Sequence, residues 1–394
     1  MRARVGVGVL ALGALAWVAG GCGSTFDLPT ESRGGRAIPT DKSYQMLATW
    51  SAMNGITDLL LTQGAGSQLF LLFNFGGVGT APRGEVRAYP LTRPDPIASI
   101  TFRELFNPVA IASGGDGAGG ANNRIYVLDQ GDTCIARTNP NSGTCDAAGG
   151  YNTRISDLAT YWRVREYRLL GGDTLTTFTD TTLAWVKGIA SDASGNVYVS
   201  GLAIVNLPNT DDPRLVDREF QWRIYKYARG PKIPGRLPND KNLPGAAWHR
   251  DSTFVIDEGS GIGTVVDPHG LFWSAAGTAP GLYAADFGKN WVQKLYDVGQ
   301  STGYWEIDGA QTSTPFNGPT DVAVDLQGYV YVVDTGGRRV LRYAGDASYV
   351  QRVDVELDAS GLPLRRPIAV AADDSLVYVA DAGANEVIRY KRRQ

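Results

Sequence analysis

Residues that commonly bind metals are scarce in this chain of 394 residues, which contains two histidines, His249 and His269, and three cysteines. A metal site with three histidine ligands is therefore excluded. The sequence also lacks a G-x-S-x-G elbow, a P-loop and an H-E-x-x-H motif, the local signatures of serine hydrolases, nucleotide-binding proteins and zinc proteases. From these absences we predict no catalytic residue, no metal ligand and no cofactor.

The chain also lacks any long run of charges of one sign. It has 37 Lys and Arg residues against 40 Asp and Glu residues, with a formal net charge of −3. A protein that binds nucleic acid needs a basic surface to displace counterions from the phosphates. We therefore expect no nucleic-acid partner.

A long apolar run occurs at the N-terminus, in the segment MRARVGVGVLALGALAWVAGGCGS. Two arginines precede an apolar stretch from Val5 to Val18, which is typical of a secretory signal and is too short for a comfortable membrane span. The small residues before Cys22 resemble the lipobox of bacterial lipoproteins, in which this cysteine is lipidated. Ala19 departs from that pattern, which usually has a larger aliphatic residue there.

The lipobox resemblance implies a signal peptide at residues 1–21 and lipidation of Cys22, with ordinary cleavage and release as the alternative. Residues 22–42 are polar and contain several Gly and Pro residues, so we expect a flexible tether. The protein would then be exported and held by lipid at the bacterial membrane. We expect the outer membrane, facing the periplasm or the cell surface.

Cys134 and Cys145 are the remaining cysteines, in the segment DTCIARTNPNSGTC. In an exported protein, two cysteines this close across an Asn-Pro-Asn-Ser-Gly turn most simply form a disulfide. A redox or metal site would need a C-x-x-C spacing or a nearby histidine, and neither is present. We predict a structural disulfide that braces a loop.

Glycine and aromatic residues, by contrast, are plentiful, with 49 Gly, 18 Tyr and 9 Trp, which suits many short strands and tight turns. The segment GPTDVAVDLQGYVYVVDTGGRRVLRY (318–343) aligns with RPIAVAADDSLVYVADAGANEVIRY (366–390). Pro319 matches Pro367 and Asp325 matches Asp373, so the repeat period is 48 residues. Weaker copies begin near residues 55, 107, 186 and 262, which makes six units.

These six units resemble NHL repeats, which form the blades of β-propellers. The resemblance implies an all-β fold, a six-bladed β-propeller over residues 43–394, with four antiparallel strands per blade named a to d from the central channel outward. The sixth unit ends after strand c, and residues 43–50 (SYQMLATW) have no partner of their own. We predict that this segment is strand d of blade six and closes the ring without exposed sheet edges.

An aspartate recurs at two places in most units. At the end of strand a it opens an Asp-x-x-Gly turn, where its side chain can accept a backbone hydrogen bond; at the end of strand b it precedes another glycine-containing turn. A catalytic carboxylate is needed at one place only, so recurrence favours turn stabilisation, with a calcium-binding ring of carboxylates at the channel mouth as the alternative. The aspartates are Asp192, Asp267, Asp325 and Asp373 after strand a, and Asp129, Asp286, Asp334 and Asp381 after strand b.

We predict structural roles, and no role in catalysis or ligand binding, for the two histidines and for four aromatic residues on strands. His269 is predicted in the a–b turn of blade four and His249 in a long connection beside a strand d, so the two are not expected to meet. Four aromatic residues at strand positions are expected to pack between blades rather than to stack on a ligand. These are Tyr198, Trp273, Tyr331 and Tyr378.

Two units carry long insertions between strands b and c, at residues 130–161 in blade two and 201–221 in blade three. In a propeller the b–c and d–a connections lie on the same face, so we expect the insertions to form a rim there; decorative loops are the alternative. The candidate ligand-binding residues are Asn107, Lys187, Asn317 and Arg366 at the starts of strands a, and Asp211, Asp212 and Arg214 in the blade-three insertion.

These observations predict a monomeric, non-catalytic binding protein of the cell envelope that recognises a protein, peptide or glycan on the b–c face. NHL-like propellers commonly act in this way. Some related propellers are metal-dependent lyases or calcium-dependent lactonases, so a calcium- or zinc-dependent hydrolase or lyase with its site at the channel mouth is the alternative. The propeller fold by itself does not choose between the two functions.

Overall fold

The computed structural model describes most of the chain from residue 44 onward and two short segments before it. Apart from one short 3-10 helix, Ala310–Thr312, all regular structure in these residues is β-strand. No helix in the described part of the chain is long and apolar enough to cross a membrane. The described residues are 31–32, 36–37, 44–62, 67–76, 83–91, 100–115, 123–131, 162–169, 173–208, 216–230, 241–242, 247–275, 281–295, 305–312, 314–354 and 363–393.

The first half of the chain forms a short hairpin, one separate strand and three blades. The hairpin pairs β1 (Glu31–Ser32) with β2 (Arg36–Ala37), and the separate strand is β3 (Tyr44–Trp50). The strands of blades one and two are β4 (Ile56–Leu61), β5 (Gln68–Asn74), β6 (Gly84–Pro90), β7 (Ile100–Leu105), β8 (Pro108–Gly114), β9 (Arg124–Asp129), β10 (Arg163–Arg168) and β11 (Thr174–Phe178). Blade three contains β12 (Leu183–Ser191), β13 (Val197–Pro208), β14 (Val216–Arg229), the two-residue β15 (Lys241–Asn242) and β16 (Trp248–Ile256).

The second half of the chain contributes the other three blades. Blade four is β17 (Pro268–Ser274), β18 (Gly281–Asp286), β19 (Trp291–Leu295) and β20 (Trp305–Ile307); blade five is β21 (Pro319–Val324), β22 (Val330–Asp334), β23 (Arg339–Tyr343) and β24 (Tyr349–Arg352); blade six begins with β25 (Pro367–Ala372), β26 (Leu376–Asp381) and β27 (Glu386–Arg392). In every blade, consecutive strands pair antiparallel in the order a-b-c-d. The predicted six-bladed β-propeller is confirmed.

The ring closes through the N-terminal strand, as predicted. β3 pairs antiparallel with β27 from Trp50 opposite Val387 to Tyr44 opposite Arg392, and so supplies the fourth strand of blade six. Trp50 is buried against Tyr378 of blade six and Tyr89 of blade one. The two ends of the propeller are therefore joined in one sheet, which leaves neither with an open strand edge.

Six apolar clusters fill the described part of the molecule, one between each pair of neighbouring blades. The middle strands are covered on both faces, which is why a strand such as β22 is buried at every position and reads as a nearly continuous apolar run. Tyr198, Tyr331 and Tyr378 lie in three of these clusters with no more than 1% of their surface exposed. Their predicted packing between blades is confirmed.

The innermost strand of every blade carries a β-bulge near its start. A bulge places two residues opposite one and turns a side chain away from the regular alternation. Each blade has one residue that follows this bulge and comes immediately before the next aliphatic residue of the strand. We call these six places the ring position. It is occupied by Asp58, Ala110, Gly188, Gly270, Asp321 and Ala369 in blades one to six.

Blade four differs from its prediction. Its strand a begins at Pro268, so Asp267 precedes the strand instead of ending it, and both His269 and Trp273 lie on strand a. The sequence Asp-Pro-His-Gly matches the Asp-x-x-Gly pattern of the a–b turns, but its glycine, Gly270, lies within strand a. A Cβ atom there would lie 2.6 Å from the Cα of Asp321 in the next blade, so only glycine allows this approach.

Candidate functional site

Six of the eight recurring aspartates are buried, and backbone N–H groups bind most of the eight. Oδ1 of Asp325 accepts hydrogen bonds from the N–H of Gln327 (3.0 Å) and of Tyr329 (2.9 Å), and Gly328 has the expected positive φ of 86°. Asp192 and Asp373 bind the turns that follow them in the same way. The predicted turn stabilisation is therefore observed at three of the four a–b positions, with Asp267 as the exception.

The aspartates at the ends of strands b do more than the sequence predicted. Asp381 accepts hydrogen bonds from the N–H of Gly383 (2.9 Å) in its own turn and from the N–H of Arg366 (2.8 Å), just before strand a of the same blade. Asp129 and Asp334 make the same pair of connections. Each carboxylate thus joins the b–c turn to the entry of strand a, which explains why the residue recurs.

Asn107, a predicted ligand-binding residue, belongs to a chain of hydrogen bonds between blades. Its Oδ1 accepts a bond from Asn74 Nδ2 of blade one (2.6 Å), and its Nδ2 donates to Oε1 of Gln130 (3.1 Å). The Nε2 of Gln130 then donates to the carbonyl oxygen of Val186 in blade three (2.6 Å). The amide of Asn107 therefore has partners that hold three blades in register.

The other predicted ligand-binding residues do not form one cluster. Asn317 and Arg366 are exposed on the face of the d–a connections, and Lys187 is half-buried within β12. Both histidines lie on strands: His249 Nδ1 hydrogen-bonds the Gly230 carbonyl (2.8 Å), and His269 lies in the next blade. The predicted residues Asp211, Asp212, Arg214, Cys22, Cys134 and Cys145 lie outside the described residues.

The blade-three insertion is largely a β-hairpin. β13 and β14 pair without interruption from Val197 opposite Tyr227 to Pro208 opposite Val216. β16 pairs with β14 only from Ile224 onward, and just before that point the N–H of Trp222 donates to Oε2 of Glu258 (2.7 Å). Among the described strands, none pairs with residues 216–221 on the side away from β13. The hairpin therefore extends beyond its own blade on the b–c face.

One side of this hairpin presents a row of large apolar side chains. Trp185 lies opposite Leu202, and Leu202 lies opposite Trp222, while Phe220 lies opposite Ile204 two residues further along. Directly opposite residues in a sheet point to the same side, so the five form one surface, which we call the hairpin surface. Trp185 is 44% exposed and Phe220 is 41% exposed.

A positive charge lies against the aromatic rings of the hairpin surface. The Nζ of Lys187 is 4.9 Å from the ring centroid of Trp185 and 6.0 Å from that of Trp222. These distances are within the range of cation–π interactions, so the lysine covers part of the indole faces. Lys187, a predicted ligand-binding residue, therefore lies against an exposed aromatic surface.

A second candidate site is a cavity of about 240 Å³ in the central channel. It is lined by the inner strands of all six blades and by residues of the following a–b turns, including Ala193, Ala275 and Leu326. The cavity therefore lies towards the a–b face, opposite the b–c face. None of Asn107, Lys187, Asn317 and Arg366 lines it, so the b–c prediction did not identify this cavity.

Three aspartates line this otherwise largely apolar cavity: Asp325, whose carboxylate is bound by its own turn and by Tyr331, and the pair Asp58 and Asp321. Asp58 accepts hydrogen bonds from its neighbour, the N–H of Leu59 (2.7 Å), and from the N–H of Ile111 in the next blade (2.8 Å). Asp321 accepts a bond from the N–H of Val370 in the next blade (2.8 Å). Both aspartates thus join the strand a of their own blade to the strand a that follows.

Burial makes both carboxyl groups harder to ionise. Desolvation raises the pKa of Asp58 to about 7, although the N–H groups of Ile111 and Leu59 oppose the change. Desolvation also raises the pKa of Asp321 well above its ordinary value, and the negative charge of Asp58 raises it further. The two side chains therefore interact electrostatically.

Asp58 and Asp321 were not predicted as a pair, although the repeat units differ at this position. Units one and five both read Thr-Asp followed by an aliphatic residue, TDL and TDV, at the start of strand a. The other four units have Ala or Gly in place of the aspartate. A comparison restricted to this position would have separated Asp58 and Asp321 from the aspartates that recur in turns.

Comparisons with known proteins identify similar folds. No family model matches the chain, and no curated protein matches it. A protein of unknown function from Bacteroides caccae is similar with a TM-score of 0.42 and 9% identity, over 80% of this chain and 82% of that one. The PQQ-bound aldose sugar dehydrogenase from Streptomyces coelicolor is similar with a TM-score of 0.46 and 13% identity, over 90% of this chain and 99% of that one. The class of the protein, a six-bladed β-propeller, follows from its own strand order.

Proposed function

We propose that this propeller is a non-catalytic binding protein that recognises an extended polypeptide on its b–c face, through the hairpin surface of blade three. The proposal includes NHL-type blades and an envelope location through a lipid on Cys22. The observation that carries it is the hairpin itself, which holds exposed aromatic side chains beside a strand edge. The four-stranded blade is complete without the exposed aromatic side chains and without the unpaired edge of β14.

Exposed apolar groups on the hairpin surface favour a macromolecular partner. Contiguous apolar surface on a soluble domain commonly marks an interaction site, and tryptophan is enriched where binding energy concentrates. Trp185 and Phe220 are each more than two-fifths exposed, whereas the tyrosines on strands b of blades three, five and six are almost fully buried. The fold leaves these two apolar side chains in contact with water, and a partner that covered them would remove that surface from water.

The unpaired side of β14 favours a polypeptide over a glycan. Among the described strands, none pairs with residues 216–221 on the side away from β13, whereas the N–H of Trp222 is already bound by Glu258. A peptide in an extended conformation can add a strand to such an edge, with affinity from main-chain hydrogen bonds and specificity from alternate side chains. A glycan would use the aromatic rings but not the backbone groups of the edge.

A shortened hairpin tests the proposal. Ala203 lies opposite Gln221, so replacing residues 204–220 with Asn-Gly gives a two-residue turn that keeps the register of the remaining strands. We expect a peptide-display library to enrich apolar, β-branched peptides that bind the wild-type protein and fail to bind this variant. The melting temperature should fall only modestly: the removed segment includes Val205, which packs against the core between blades two and three, and Ile204, whose N–H donates to the Thr182 carbonyl oxygen.

A point variant and a matched control complete this experiment. Phe220→Ser should weaken the selected peptides, whereas Phe75→Ser should not, because Phe75 is also exposed but lies in blade one. Peptides that bind the shortened protein as well as the wild type would contradict the proposal. Glycan-array hits that depend on Trp185, in the absence of peptide hits, would point to a glycan instead.

A further inference from the structure

The central cavity combines an apolar wall with negative charge. Most of its lining comes from aliphatic and aromatic residues of the inner strands, such as Leu59, Ile189 and Phe272. The described lining residues include no Lys and no Arg, whereas three aspartates line the cavity. Asp325, at the a–b end, is bound by its own turn and by Tyr331, which leaves Asp58 and Asp321 to interact with a ligand. Sites for small molecules are typically concave and mostly apolar, with a few polar groups that fix the ligand's orientation.

At the ring position the two aspartates are the only residues with a side chain larger than a methyl group. The other four blades have only Ala or Gly there: Ala110, Gly188, Gly270 and Ala369. Asp58 and Asp321 belong to blades one and five, which are separated only by blade six. The two acids therefore belong to the same half of the ring, and the charge of Asp58 acts on Asp321.

We propose that this cavity binds a small organic cation, with its ammonium group at Asp58 and Asp321 and its apolar body along the channel towards the a–b face. The site is separate from the hairpin surface and does not depend on the function proposed for it. A carboxylate buried without a positive partner is costly, which is why burial raises the pKa of both acids, and a bound ammonium would favour their ionised forms.

The chemistry of the wall favours an organic cation over a metal ion. An ammonium group donates up to three hydrogen bonds, which two carboxylates can accept, and its carbon chain matches the apolar wall. Calcium prefers six to eight oxygen ligands, but the cavity offers two carboxylates at the ring position and largely aliphatic side chains around them. Among the described residues no group of three His, Cys, Asp or Glu side chains is placed to hold a metal.

The test is a titration of the purified full-length protein with n-butylammonium, with n-butanol as the neutral analogue and calcium chloride as the metal. Calorimetry and the fluorescence of Trp273, which lines the cavity, report binding. We expect n-butylammonium to bind and to raise the melting temperature, while n-butanol does neither. Affinity should fall as the pH is lowered through 7, because Asp58 then gains a proton.

Three variants make the result specific. Asp58→Asn should weaken n-butylammonium binding by roughly tenfold or more, since it removes one charged hydrogen-bond partner. Asp346→Asn, at an exposed aspartate of blade five, is the matched control and should leave the affinity unchanged. Ser113→Leu fills the channel without touching either acid and should also abolish binding, which keeps the test valid if an aspartate variant folds poorly.

Two outcomes would overturn the inference. One is that n-butylammonium does not bind the wild-type protein, or binds it and the Ser113→Leu protein equally. The other is that calcium binds with an affinity that depends on both aspartates and displaces the amine, which would make the cavity a metal site. Loss of peptide binding by the shortened hairpin leaves the inference untouched, because the hairpin lies on the opposite face.

Discussion

Replacing Trp50 with alanine tests how the propeller is closed. Trp50 is only 4% exposed, and its ring lies 5.5 Å from that of Tyr89 and 6.2 Å from that of Tyr378. A buried tryptophan removes about 200 Å² from water, which corresponds to about 5 kcal/mol at about 25 cal/mol per Å². Since truncation of a buried aromatic side chain commonly costs about 3–5 kcal/mol, we expect a loss of that size in the free energy of unfolding.

Urea unfolding followed by circular dichroism measures this loss, with Leu47→Ala as the control on the same strand. Leu47 is 40% exposed, so its truncation should cost about 1 kcal/mol or less. The Trp50 variant should also be cleaved faster by protease near the N-terminus, because its closing strand separates from β27 more often. Equal small losses for the two variants would refute our account of how strand d of blade six is held.

Three further predictions concern the ring position and the anchor. As the pH rises from about 4 to 7, the free energy of unfolding should fall by up to about 1.4 kcal/mol per pH unit, because folded Asp58 keeps its proton to about pH 7 and the unfolded chain loses it near pH 4. Urea unfolding of Asp58→Asn should show a shallower fall, and equal slopes for the variant and the wild type would contradict this. Gly270→Ala should lower the melting temperature strongly because its Cβ would collide with Asp321, whereas Gly261→Ala, which meets nothing within 4 Å, should not; equal melting temperatures would be inconsistent with the close approach of blades four and five. Cys22→Ser should move the protein from the membrane fraction to the soluble fraction, and a variant that still sediments with membranes through its N-terminus would show that the lipid anchor is wrong.

The two proposed sites lie on opposite faces of the ring. The hairpin surface projects from the b–c face of blade three, whereas the cavity reaches the a–b face through the turns that follow the inner strands. A small cation and a polypeptide would therefore not compete for the same atoms. Each site can be tested while the other is left intact.

Repeats and ring closure could be predicted from the sequence because they depend on local patterns. Each strand's alternation, each glycine-containing turn and the 48-residue period between the last two units are properties of short segments. The unpaired segment at residues 43–50 stood out because the last unit ended one strand too early. Blade six lacked a fourth strand and residues 43–50 lacked a partner, so pairing the two was the simplest arrangement, and β3 pairs with β27 in this way.

Blade four and the blade-three insertion show where local patterns mislead. Asp267 begins what looks like a repeat turn, but the fold places it before strand a because Gly270 must lie against Asp321 of the next blade. The insertion at 201–221 was expected to be a loop and is mostly paired strand. In both cases the deciding contacts are made between segments that are far apart in the sequence.

The sequence by itself determined the class of fold, the number of blades and the structural role of most recurring aspartates, because each of these follows from repeated short-range chemistry. Only the tertiary structure decided which side chains face a common space. Asp58 and Asp321 are more than 260 positions apart in the sequence. They line the same cavity because both lie near the start of an inner strand and the closed ring places blades one and five on either side of blade six. That relation between distant residues is set by closure of the ring, which no single repeat encodes.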